Sequence, residues 1–185
     1  FHEGGNTEGV DLAKAGTSIM SAMKKANPEA VWVMQAWQAN PREAMVSTLD
    51  SGDLLVLDLY SEKLPQWGDP ESMWYREKGF GKHDWLYCML LNFGGNVGLH
   101  GRMEQLVNGY YNACAHVNGK TLRGVGATPE GIENNPVMFE LLYELPWREE
   151  RFSPDAWLQA YLKARYGNDL SPEVEEAWRA LAHTV

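Results

Sequence analysis

Four apolar stretches break the polar background of the chain, at residues 30–35, 53–59 and 84–92, with a weaker one at 122–127. The first three are continuous runs rather than strict alternations, as in Val31-Trp-Val-Met34 and Leu54-Leu-Val-Leu57. Runs of that kind suit strands covered on both faces, as in parallel sheets. Helix-length segments lie between them. Residues 11–26 carry Leu12, Ile19, Met20 and Met23 and stop at Asn27-Pro28. Residues 41–49 open with Pro41 at a first-turn position after Asn40 as N-cap. Residues 103–117 place Leu106, Val107, Tyr110, Tyr111 and Ala115 at helical spacing. Strand–helix repetition predicts βαβ units and an α/β fold with a parallel sheet.

After Pro136 the pattern turns helical. Residues 137–145 read as one helix. Ser153-Pro154-Asp155 forms an N-cap and first turn for a second helix over 156–166, closed by Gly167. Ser171-Pro172-Glu173 opens a third that runs to Ala182. The α/β part therefore passes into an all-helical part near Arg151, giving units at 1–150 and 151–185.

Charge removes some classes of function. A net charge of −9 speaks against nucleic acid as a partner, because that binding needs a basic patch to displace counterions. The apolar runs fall far short of the roughly 18–20 residues that cross a bilayer, so membrane insertion is not expected. Eight Trp and eight Tyr can serve as large core residues or as platforms for sugar rings. Cys88 and Cys114, without CxxC spacing, read as buried free thiols. The start at Phe1-His2-Glu3 lacks an initiator Met, so the native N-terminus is expected to lie upstream.

In parallel α/β sheets and barrels, reactive groups gather just past the C-terminal ends of strands. The residues so placed are Glu3 (if Phe1 ends a strand), Gln35, Trp37, Asp58, Glu62, Asn92 and Glu130. Two acids have distinctive neighbours, in His2-Glu3-Gly4-Gly5 and Thr128-Pro129-Glu130-Gly131. Glycine beside an acid lets a substrate approach the backbone, and proline before one stiffens its placement. Paired carboxylates are the minimum machinery of glycoside hydrolysis. Other constellations fail. Gly124-Val-Gly126-Ala-Thr-Pro129 has neither the third glycine of a dinucleotide loop nor a Walker lysine. Cys114-Ala-His116 has no second ligand pair at zinc spacing, so no metal is expected. Ser47, Ser61 and Ser72 sit outside a Gly-x-Ser-x-Gly elbow. His83 and His100 read as structural or substrate-bonding residues.

Several blocks together resemble the α-N-acetylglucosaminidases of glycoside hydrolase family 89. They are Phe1-His-Glu-Gly-Gly5, the segment 30–37 ending Gln35-Ala-Trp37, Leu54-Leu-Val-Leu-Asp-Leu-Tyr60-Ser-Glu62, and the segment 85–96 with its Asn92-Phe-Gly-Gly-Asn96. Thr128-Pro-Glu-Gly-Ile132, Glu144-Leu-Pro-Trp147-Arg148 and Arg165-Tyr-Gly167 complete them, in order along the chain. The resemblance implies the second half of a (β/α)8 barrel, beginning at the end of its fourth strand, followed by the start of an all-α domain. It implies retaining hydrolysis of terminal α-linked N-acetylglucosamine from an oligosaccharide, glycosaminoglycan or mucin-type glycan, with no metal or organic cofactor. By position Glu3 is similar to the general acid/base and Glu130 to the nucleophile, while Trp37, Asp58 and Asn92 resemble sugar-pocket residues. A retaining pair of this kind stands roughly 5–5.5 Å apart. An extracellular, periplasmic or lysosomal location is implied by the family alone. An α-glycosidase of other specificity and a non-catalytic carbohydrate-binding protein on the same scaffold are the rival readings.

Overall fold

Each of the four apolar runs becomes a strand, and each strand lies beside the next one in sequence, all parallel. The computed structural model describes residues 6–91, 94, 102–131 and 134–183. In chain order the elements are α1 (Leu12–Ala26), β1 (Trp32–Ala36), α2 (Glu43–Val46), β2 (Leu54–Asp58), β3 (Asp84–Met89), α3 (Met103–Ala115), β4 (Leu122–Ala127), α4 (Pro136–Glu144), α5 (Pro154–Tyr166) and α6 (Pro172–Ala182). A strand order that never reverses has no topological switch point. It is the wall of a (β/α)8 barrel, whose chemistry sits over the carboxyl ends of the strands.

The two faces of this wall differ. Met34 and Ala36, Leu54 and Val56, then Trp85, Tyr87 and Met89 share one face by register, and all are buried. Helices α1 to α4 cover that face with Met20, Met45, Leu106 and Leu141, all in one apolar cluster. Burying a Leu or Met fully contributes about 1.5–3 kcal/mol, so this face holds the fold together. On the inner face Val33 is 53% exposed, and Leu55, Leu57 and Leu86 are half-buried.

Local chemistry sets the helix ends. Asp11 caps α1 by accepting the Lys14 N–H at 3.0 Å, and Lys24 and Lys25 meet the negative end of its dipole. Gly16 lets α1 and α2 touch, because a Cβ there would collide with the Met45 carbonyl. Ser153 accepts the Ala156 N–H, and Gly167 takes φ 90° after Tyr166, as the sequence predicts for α5. Helix α5 adds Trp157, Leu158, Tyr161 and Leu162 to the core it shares with α3 and α4.

Three expectations need correction. Residues 41–49 hold only the short α2, and Arg42, not Asn40, stands at its N-cap. Asn40 is instead buried in the turn after β1, across a cis bond to Pro41. Cys114 is exposed on α3 while Cys88 is buried, because only the latter's position on β3 lies inside the sheet. Residues 59–83, between β2 and β3, contain turns and no helix. Long structureless connections of that kind in compact domains are commonly functional. No helix among the described residues is long and apolar enough to cross a membrane.

Candidate functional site

A cleft of about 330 Å³ opens at the carboxyl ends of the strands. Gln35, Trp37 and Asn40 reach it from β1, Leu59 from β2, Leu90 from β3, and Thr128 to Glu130 from β4. Of the residues singled out in the sequence, Trp37 and Glu130 therefore meet in one site. Glu3 and Asn92 lie outside the described residues. Asp58 is described, and it is not in the cleft.

The β1 side of the cleft is a tight turn. Trp37 N–H donates to the Asn40 carbonyl at 3.1 Å and Asn40 N–H returns the bond at 2.9 Å. The buried Asn40 amide also donates to the Gln35 carbonyl, and Gln38 sits at φ 50° between them. Arg76, from the long connection, clamps this turn from below. Its Nη1 donates to the Pro41 carbonyl at 2.8 Å and its Nε to Gln66 Oε1 at 2.7 Å. Trp74 packs edge-on with Trp37, ring centroids 4.4 Å apart. Trp37, half-buried, is thus held by backbone and ring contacts rather than left as a loose surface aromatic.

Beneath the rim lie two buried acids. Asp58 pairs in register with Ala36 and Tyr87, which puts its side chain on the helix-covered face. Its Oδ2 accepts the Gln66 N–H at 3.3 Å. Burial raises its pKa to about 7 against the opposing pull of that bond, Ser61 and the Arg76 charge. Glu62 Oε1 accepts the Leu90 N–H at 3.0 Å. Burial raises its pKa to about 8, with the Leu90 bond and the Arg102 charge working the other way. These acids tie the long connection to the strand ends.

Glu130 stands in the opposite setting. It is exposed at the mouth, three residues past the end of β4. Its Oε2 accepts the Gly94 N–H at 2.9 Å, which restrains the carboxylate, and the residue lines the cleft. Thr128, just before Pro129, donates its hydroxyl to the Leu59 carbonyl at 3.0 Å and lies 3.3 Å from the Met89 carbonyl. An oriented carboxylate beside a half-buried tryptophan can bind a sugar ring and attack its anomeric carbon.

Sequence reasoning passed over Asn40's buried role, Arg76 and Thr128. Arg76 carries no local signal, since its partners at Gln38, Pro41 and Gln66 are joined only by the fold. For Thr128 a signal existed: it opens the Thr-Pro-Glu block. His116 accepts the Asn118 N–H on Nδ1 at 3.1 Å, its ring against Trp67. His83 is buried with Nε2 against the Val46 carbonyl. No cluster of three His, Cys, Asp or Glu suited to a metal ion occurs among the described residues. A larger hollow, about 580 Å³, lies between α2, β2 and residues 76–83, away from Trp37 and Glu130. It forms where the long connection stands in place of a helix.

Comparison with known proteins adds family context. Residues 1–149 match the family model described as the alpha-N-acetylglucosaminidase tim-barrel domain. Human alpha-N-acetylglucosaminidase is 37% identical over 185 aligned residues, which take in 94% of this chain and 24% of that protein. The solved family 89 glycoside hydrolase from Clostridium perfringens, in complex with PUGNAc, matches with a TM-score of 0.84 at 34% identity. That match covers 100% of this chain and 20% of the bacterial one. A form of the bacterial enzyme with two glutamates changed to glutamine, in complex with its substrate GlcNAc-alpha-1,4-galactose, matches at TM-score 0.82 and 34% identity. It covers 97% of this chain and 19% of its own. The chain spans about a quarter of the curated relative and a fifth of the solved ones.

Proposed function

Because the chain belongs to the α-N-acetylglucosaminidase family of glycoside hydrolases, we propose that it carries both catalytic glutamates of a retaining exo-glycosidase, with Glu130 attacking the anomeric carbon of a terminal α-linked N-acetylglucosamine. The observation that carries the reading is the Glu130 carboxylate, held at the strand ends by the Gly94 N–H in a cleft that Trp37 also lines.

The bond itself dictates the machinery. In an α-linked N-acetylglucosamine the leaving oxygen and the C2 acetamido group lie on the same side of the C1–C2 bond. The acetamido oxygen therefore cannot attack C1 from behind the leaving group. Retention then requires a carboxylate from the protein on the opposite face, and a second carboxyl to protonate the departing oxygen. Glu130 takes the first role. The Gly94 N–H on Oε2 restrains rotation of the carboxylate, which favours a single attack trajectory. Glu3 takes the second role, as acid in the first step and as base toward water in the second. It lies outside the described residues, and the assignment rests on the His2-Glu3-Gly4 resemblance. Trp37 offers an apolar face to the sugar ring. The glycan is read as one ending in α-linked N-acetylglucosamine, of glycosaminoglycan or mucin type.

A panel of chromogenic α- and β-glycosides, given to the full-length protein, tests the reading. Hydrolysis confined to the α-N-acetylglucosaminide, with the α anomer as first product by proton NMR, is the expected result. A β anomer as first product, or preference for a sugar without the acetamido group, overturns it.

A further inference from the structure

We propose that Thr128 is the positioning residue for Glu130, an inference that rests on the nucleophile assignment above. Strand β4 is poorly equipped to fix its own end. None of its residues is fully buried, it carries Gly124 and Gly126, and its register against β3 shifts between Trp85 and Leu86. The Thr128 N–H adds one more rung to the β3 ladder by donating to the Met89 carbonyl at 3.0 Å. Its hydroxyl then reaches past β3 to the Leu59 carbonyl at 3.0 Å, two strands away. The same oxygen lies 3.3 Å from the Met89 carbonyl, so its single proton is shared unequally between two strand ends.

From that anchor to the nucleophile the chain is stiff. Threonine is restricted at χ1 by its branched Cβ. The residue before a proline is confined to extended backbone, and Pro129 fixes its own φ. Little beyond the torsions of Glu130 itself stays free, and the Gly94 N–H holds its Oε2. The carboxylate is thus set from its backbone side by Thr128 and from its oxygen side by Gly94. A misplacement of about 1 Å at a reacting atom costs on the order of a hundredfold in rate, which is the scale of effect expected here.

The test compares Thr128→Val, which keeps the shape and removes the hydroxyl, with Thr128→Ser, which keeps the hydroxyl. Both are made in the full-length enzyme, with Thr128→Ala as a second hydroxyl-free variant should the valine protein fail to fold. The readouts are the single-turnover rate of glycosyl-enzyme formation from a dinitrophenyl α-N-acetylglucosaminide and the Kd of 2-acetamido-1,2-dideoxynojirimycin. A purely structural role would lower the melting temperature and leave the single-turnover rate of the folded enzyme unchanged. The hydroxyl-free variants are expected to form the intermediate roughly 10- to 100-fold more slowly, with inhibitor affinity within about twofold of wild type. Thr128→Ser is expected within about threefold of wild type. A hydroxyl-free variant at the wild-type rate, or a serine variant as slow as the hydroxyl-free ones, overturns the inference while leaving the functional reading intact. A wild-type enzyme inert toward the substrate overturns both.

Discussion

Asp58 and Glu62, at the end of β2, and Glu130, at the end of β4, are the same kind of group placed two strands apart, yet their surroundings are opposite. The first two are buried, 1% and 8% exposed, and hold backbone N–H groups of Gln66 and Leu90. The third is exposed and lines the open cleft, with one oxygen held by the Gly94 N–H. Strand alternation is the cause for Asp58. Its neighbours Leu57 and Leu59 take the inner side, so Asp58 turns toward the helices, and a shift of one position would have exchanged them. An acid at a strand end is thus either part of the frame or part of the reaction, and the face it occupies decides which.

The sharpest way to break this comparison is to neutralise each acid in the full-length enzyme. Glu130→Gln is expected to lower turnover roughly 10⁴-fold or more, about 5.5 kcal/mol of transition-state stabilisation. Asp58→Asn is expected to stay within about tenfold of wild type. An equal collapse in both, assayed on the aryl α-N-acetylglucosaminide, would mean that the buried acid also acts in the chemistry.

Stability against pH separates the two kinds of acid next. Asp58 stays protonated in the fold up to about pH 7 and Glu62 up to about 8, while in the unfolded chain both ionise near 4. Unfolding between those limits therefore releases protons, and stability falls as pH rises from about 4 toward 7 or 8. Each acid contributes a slope of up to about 1.4 kcal/mol per pH unit. Denaturant melts at pH 5 and pH 7 should show a smaller difference in Asp58→Asn and Glu62→Gln than in wild type. An unchanged difference would place these acids in water.

A smaller loss is expected from Arg76→Met. It leaves Gln66 Oε1 and the Pro41 carbonyl unpaired beside Asp58, at a cost of about 2–3 kcal/mol measured by denaturant midpoint. It should also raise KM more than it lowers kcat, because the turn it holds carries Trp37 and not Glu130. Smallest is Gly126→Ala on the inner face, where a Cβ would come 2.8 Å from the Cys88 sulfur. That crowding should cost about 1–2 kcal/mol in thermal stability, and a neutral result would show slack between β3 and β4.

The sheet was legible in the sequence because its signal is local: three continuous apolar runs mark its first three strands. Val33 shows the limit of that signal, since it reads as buried and is 53% exposed on the inner face. Helix ends at Asp11, Ser153 and Gly167 were legible for the same reason, each being set by a residue within one turn. The place of Trp37 and Glu130 at the cleft could be read from their position after strands. Asp58 stood in an equivalent place, and no local feature told its face from theirs. The Arg76 clamp and the Thr128 tie join residues 35 and 69 positions apart, so their partners exist only once the sheet has formed.

If Glu130 forms the covalent bond to the sugar, peptide mapping of a trapped intermediate will show it. Full-length Glu3→Gln enzyme, given a dinitrophenyl α-N-acetylglucosaminide, should form the intermediate, since a good leaving group needs no acid, and then stall for want of a base. Mass spectrometry should find one N-acetylhexosamine added to the peptide containing Thr128-Pro129-Glu130, and none after Glu130→Gln is introduced as well. A sugar on any other carboxylate, or rapid turnover with no adduct and the β anomer as product, would contradict the account.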